Sequence, residues 1–146
     1  MSNPEPGPIP AGSDPRASVA KRVFVVGAGI MGSGIAAQCA LAGYPVTLED
    51  VNEEFARRGL ANAARALDHA VQRGKVGAGA REEAVARIDF AIGLRRADSA
   101  QIVIEAAPED LPLKRKIFAE LEPMASPSAL TIEVRMPEPC PPVVRA

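Results

Sequence analysis

Apolar and polar positions along residues 21–134 follow two periods in turn, about two and about 3.6. Residues 23–26, VFVV, form an unbroken β-branched and aromatic run, the pattern of a strand buried on both faces. Past Gly27 and Gly29, Met31, Ile35, Cys39 and Ala42 recur at helical spacing until Gly43 and Pro45 stop the helix. A second strand over 46–48 closes on Glu49-Asp50. From Asn52, an N-cap residue type, a helical pattern runs to Arg73 with Leu60, Ala64, Leu67 and Val71 on one face, and Gly74, Gly77 and Gly79 break it. Residues 80–87 read as a shorter return helix, and 88–92 and 100–106 as strands. Residues 112–124 read as a helix with proline in its first turn, and 129–134 as a fifth strand. This alternation predicts an α/β fold: a doubly wound parallel sheet with a helical hairpin inserted where the simplest such fold has one crossover helix.

Composition bounds this picture. With 146 residues there is room for one modest core, and proline crowds both ends, which divides the chain into a Pro-rich, disordered 1–20, a folded 21–134 and a divergent Pro-rich 135–146. A formal net charge of −1 argues against nucleic acid as a partner. Neither a membrane-length apolar run nor a signal-peptide pattern is present, so the sequence reads as cytoplasmic. Cys39 and Cys140 stand in unlike settings, one at an apolar helical position and one in the Pro-rich tail, which suggests core packing for Cys39 and no metal site.

The glycines bring in chemistry. Gly27, Gly29 and Gly32 stand between a strand and an amphipathic helix, the order required for a dinucleotide cradle of the Rossmann-like kind. Gly27 allows the turn off the strand, Gly29 clears the approach of a pyrophosphate, and Gly32 lets helix and strand pack closely. The backbone of Gly27, Ala28, Gly29, Ile30, Met31 and Gly32 is then the expected phosphate seat, with Met31's side chain an apolar filler. Asp50 lies 18 residues beyond Gly32 (50 − 32), at a strand end where a carboxylate takes both ribose hydroxyls and repels a 2′-phosphate, so NAD is expected over NADP. The bland alternative is that Glu49 and Asp50 form a solvated strand end. Because strand side chains alternate, one of the two faces the ribose, and Asp50 is the choice.

The segments VFVVGAGIMGSGIAAQCALAGYPVTLEDVNEE, RGLANAARALDHAVQRGKVG and IVIEAAPEDLPLKRKIFAELEPMA together resemble the NAD-binding domain of 3-hydroxyacyl-CoA dehydrogenases of the 3-hydroxybutyryl-CoA type, over roughly residues 21–128. The 3-hydroxyisobutyrate dehydrogenases share the Met-Gly pair but lack the hairpin and the IEAxPED segment. The resemblance implies oxidation of a 3-hydroxyacyl thioester with NAD in fatty acid metabolism. It implies that Asp50 holds the adenosine ribose and that Glu109 and Lys114 lie by the nicotinamide half. Without it Lys114 reads as a solvated neighbour of Arg115 and Lys116. It also makes Arg73 and Lys75 candidates for coenzyme A phosphates, against an ordinary role at a helix end.

The family's catalytic histidine and its Asn-Thr-Ser-Ser stretch have no counterpart here. The histidine in this sequence is His69, on the hairpin helix, and the positions where the serine-rich stretch belongs begin near Val134, Arg135 and Met136. No catalytic residue is therefore assigned. The expectation is a domain truncated after about five strands, without the helical substrate and dimerisation domain. Three readings follow: a nonfunctional fragment, a half-enzyme needing a separate chain, or a dinucleotide-binding module. In each, loss of the remaining domain is expected to leave an apolar sheet edge.

Overall fold

The computed structural model describes residues 21–134. Its sheet has five parallel strands: β1 (Val23–Val26), β2 (Val46–Asp50), β3 (Ile88–Ile92), β4 (Ile102–Glu105) and β5 (Leu130–Glu133), in the order β3-β2-β1-β4-β5. The chain builds outward from β1 to β3, then returns to the other side of β1 for β4. That reversal opens a crevice at the carboxyl ends of β1 and β4, where such sheets bind ligands. β1 has a neighbouring strand on each edge and helices on both faces, so all four of its residues are buried and none needs to be polar.

Helices α1 (Ile30–Leu41), α2 (Glu53–Gln72) and α3 (Ala78–Ala86) cover one face, packing Ala36, Ala40, Ala63 and Leu67 against Val25 and Leu48. Helix α4 (Leu111–Met124) and a 3-10 turn, Leu94–Ser99, cover the other, around Phe24, Val26, Val103 and Leu121. The hairpin of α2 and α3 is present as expected. It is tied across by Arg81 Nε to Asp68 Oδ1 at 2.8 Å.

Asn52 caps α2 by accepting from the Phe55 amide, and Asp110 caps α4 by accepting from Leu113, each at 2.9 Å. Gly43 and Gly74 end α1 and α2 with positive φ angles of 96° and 68°, a conformation that costs a residue with a Cβ. Gly79 lies inside α3 and breaks nothing.

Two helix faces differ from the sequence reading. On α1 the buried residues are Gly32, Ser33, Ala36, Ala37 and Ala40, and on α2 Ala56, Gly59, Ala63 and Leu67. The larger apolar residues, Ile35 and Cys39 among them, ride on the flank, because the two helices approach closely only along stripes of small residues. Cys39 thus packs against the core as expected, with burial pushing its thiol pKa up. Cys140 and both Pro-rich ends lie outside the described residues.

Candidate cofactor site

The turn after β1 is held by sterics. Gly27 has φ 96°, and a Cβ there would meet the Ala106 carbonyl oxygen at 2.9 Å. A Cβ on Gly32 would lie 1.8 Å from the Gly27 carbonyl oxygen, so helix and strand could not meet as they do. At Gly29 a Cβ would meet nothing within 4 Å. Its bare side faces open space, as required where another molecule's phosphates come close to backbone. No side chain caps α1, so the first-turn amides of Ile30, Met31 and Gly32 keep their hydrogen-bonding capacity and the positive end of the helix dipole.

Asp50 closes β2 beside this turn. Its Oδ2 accepts from the Ala28 amide at 2.9 Å and its Oδ1 from the Val51 amide at 2.7 Å, which fixes the carboxylate next to the glycine turn. Glu49, one residue earlier, is directed to the opposite face of the sheet and is only 4% exposed, so the two are not a solvated strand end. Burial, with Asp50 next in effect, pushes the Glu49 pKa from 4.5 up to about 7; the nearby Gly93 and Gly27 amides restrain the rise.

A cleft of about 720 Å³ runs along the carboxyl ends of the strands, lined by Gly27, Gly29, Glu49, Asp50, Gly93 and Ala107 among others. Exposed large apolar side chains gather there: Ile30, Met31, Val51, Phe55 and Ile92 all line it. Such a collection at a concave site marks a surface that a ligand covers. Met31 is 42% exposed, so its side chain belongs to the cleft wall and is not a core filler.

Lys114 is 4% exposed, which rules out a solvated side chain. Its Nζ lies 2.8 Å from Glu105 Oε2, 3.2 Å from Glu109 Oε1 and 3.8 Å from Glu133 Oε1, and it donates to the Val134 carbonyl at 3.1 Å. Burial works against its charge, but the hydrogen bonds with Glu105 and Glu109 outweigh it and raise the pKa above the ordinary lysine value. Lys114 is therefore a cation at neutral pH. Glu109 and Lys116 line the cleft, whereas Lys114 stands behind Glu109. Arg73, at the C-cap of α2, and Lys75 are exposed and do not line the cleft. His69 is exposed on α2 and is not a lining residue either.

Besides the burial of Glu49, sequence reasoning missed two residues. Glu105 is fully buried and is the closest carboxylate to Lys114; its Oε1 also accepts from the Ala107 amide at 2.6 Å, shaping the turn after β4. Gly59 of α2 is the second: a Cβ there would lie 2.5 Å from Ala28 Cβ, so this helix is pressed against the glycine turn itself.

A parallel sheet, a bare glycine turn, an uncapped helix start and a carboxylate at the next strand end define a dinucleotide-binding domain. Comparisons with known proteins specify which. Residues 22–132 match the family described as 3-hydroxyacyl-CoA dehydrogenase, NAD binding domain. The chain is 42% identical over 102 residues to a 3-hydroxybutyryl-CoA dehydrogenase of Mycobacterium tuberculosis, covering 70% of this chain and 36% of that protein. It is 40% identical over 114 residues to a 3-hydroxybutyryl-CoA dehydrogenase of Bradyrhizobium diazoefficiens, covering 78% and 39%. The crystal structure of M. tuberculosis FadB2 superposes with a TM-score of 0.75 at 38% identity, over 80% of this chain and 41% of that one. The chain belongs to the 3-hydroxyacyl-CoA dehydrogenase family, and residues 22–132 are its NAD-binding domain. It spans less than two-fifths of the length of these two curated relatives. Among the described residues no helix is long and apolar enough to cross a membrane.

Proposed function

We propose that this chain supplies the cofactor-holding part of an enzyme that oxidises a 3-hydroxyacyl-CoA to the 3-oxoacyl-CoA. In this reading the Gly29–Gly32 backbone amides receive the NAD pyrophosphate and Asp50 the adenosine ribose. Glu109, backed by Lys114, stands toward the nicotinamide, while Arg73 and Lys75 approach acyl-CoA phosphates on the hairpin. Bound NAD supplies a hydride acceptor. The chain's own residues seat and orient it, and the base that takes the hydroxyl proton comes from further polypeptide, since His69 lies away from the cleft. The carrying observation is the Asp50 carboxylate bonded to the Ala28 amide at the mouth of the cleft.

Titration of the purified chain with NADH and NADPH, read by nicotinamide fluorescence, tests this. NADH binding at least about tenfold tighter is expected, because a 2′-phosphate beside Asp50 meets like charge. Equal affinities would overturn the role of Asp50. With a 3-hydroxyacyl-CoA and NAD the chain alone is expected to form no NADH above a protein-free control, and clear turnover would refute the assignment of the base to other polypeptide.

A further inference from the structure

Strand register sets up a row of acids. Val26 pairs with Glu49 on one side and with Glu105 on the other; Glu105 pairs with Glu133, and Glu49 with Ala91. Paired residues in a parallel sheet project to the same face. The row Ala91, Glu49, Val26, Glu105, Glu133 therefore crosses the carboxyl end of the sheet beneath α4. Glu105 and Glu133 share the ammonium of Lys114, at 2.8 and 3.8 Å. No cation pairs with Glu49 among the described residues. Of the charged groups near it, Asp50 is adjacent on its own strand, while Glu120 and Lys116 from α4 and Glu109 from the turn before α4 line the same cleft. Burial is the main force against its ionisation, the Asp50 and Glu120 carboxylates add to it, and the nearby Gly93 and Gly27 amides work the other way.

We infer that Glu49 is a proton-carrying residue of the cofactor site: it is neutral when the dinucleotide is bound, and dinucleotide binding draws a proton onto it from solvent. The inference rests on the proposed seating of NAD in this cleft. The pyrophosphate of NADH brings two negative charges to the start of α1, next to the Gly27–Gly29 turn, whose first amide donates to the Glu49 backbone carbonyl at 2.9 Å and so holds the two segments together. A second unpaired negative charge on the cleft floor opposes that arrival, and a proton removes it. Glu105 differs in having the Lys114 ammonium 2.8 Å from its carboxylate. Protonated Glu49 also has a donor to offer as well as an acceptor. It lines the same cleft as Asp50, Ile92, Gly93 and Leu94. Binding thus consumes a proton wherever free Glu49 is ionised.

The test is NADH affinity from pH 6.5 to 8.5 for the wild-type chain and Glu49→Gln, which keeps the shape and removes the titrating proton. Wild-type Kd is expected to weaken about tenfold or more across that range, while the variant changes less than about twofold. Parallel profiles overturn the inference and leave the cofactor assignment standing; absence of NADH binding at every pH sinks both. Should the variant fail to fold, wild-type calorimetry at pH 7.5 in phosphate and in Tris, which differ in ionisation enthalpy, decides the matter. Uptake of more than about half a proton per NADH supports the inference, and none refutes it.

Discussion

A carboxyl group whose pKa is about 7 when folded and 4.5 when exposed makes Glu49 a liability to the fold as pH rises. The folded state holds this proton more tightly than the unfolded chain, so the contribution falls between pH 4.5 and 7 and is constant above. Glu49→Gln removes that fall. The variant is expected to gain on wild type across this window in urea unfolding, by on the order of 3 kcal/mol at the most. An unchanged difference between pH 5 and 7.5 would show that the carboxyl is solvated. At this scale the cradle was legible in the sequence because Gly27, Gly29, Gly32 and Asp50 act through spacing along the chain. Glu49, Glu105 and Gly59 were not, because their roles arise from cross-strand register and helix approach. A signal was nonetheless present. Ile104-Glu105 and Ile132-Glu133 each end a strand with isoleucine followed by glutamate, and Leu48-Glu49 repeats the aliphatic-glutamate pair one residue before the end of β2, a pattern that aligns three acids once the strands are parallel.

Between elements, Lys114 is the tie that joins β4, β5 and α4 through Glu105, Glu133 and the Val134 carbonyl. Removing one member of a buried ion pair leaves an uncompensated charge, which costs about 3–5 kcal/mol. Lys114→Met is therefore expected to destabilise the chain by that amount, and Lys114→Met with Glu105→Gln by clearly less than the sum of the single changes. Additive losses in a double-mutant cycle would contradict the coupling. The elements themselves were read closely from hydrophobic period: β3 matches, and α2 begins and ends within a residue of expectation. The buried faces of α1 and α2 were misread because the pattern rewards large apolar residues, whereas close helix contact selects glycine and alanine. The 3-10 turn at 94–99 has no periodic signature and went unseen.

For the molecule as a whole, β5 ends the sheet among the described residues, with Leu130 59% and Ile132 41% exposed and its outer backbone groups facing away from β4. An apolar edge of this kind pairs with whatever strand it meets. The purified chain is expected to self-associate with rising concentration in sedimentation velocity, and Ile132→Lys to shift it toward monomer; a wild-type chain that stays monomeric would show the edge to be protected.

The contact between Gly59 and Ala28 has a further consequence. The hairpin and the nucleotide seat share one wall only as thick as two small side chains. Any enlargement at either position must push the other partner back, so sequence drift at the two sites is bound together. A chain with a bulkier residue at 28 or 59 must have moved its hairpin outward, and its grip on the dinucleotide with it.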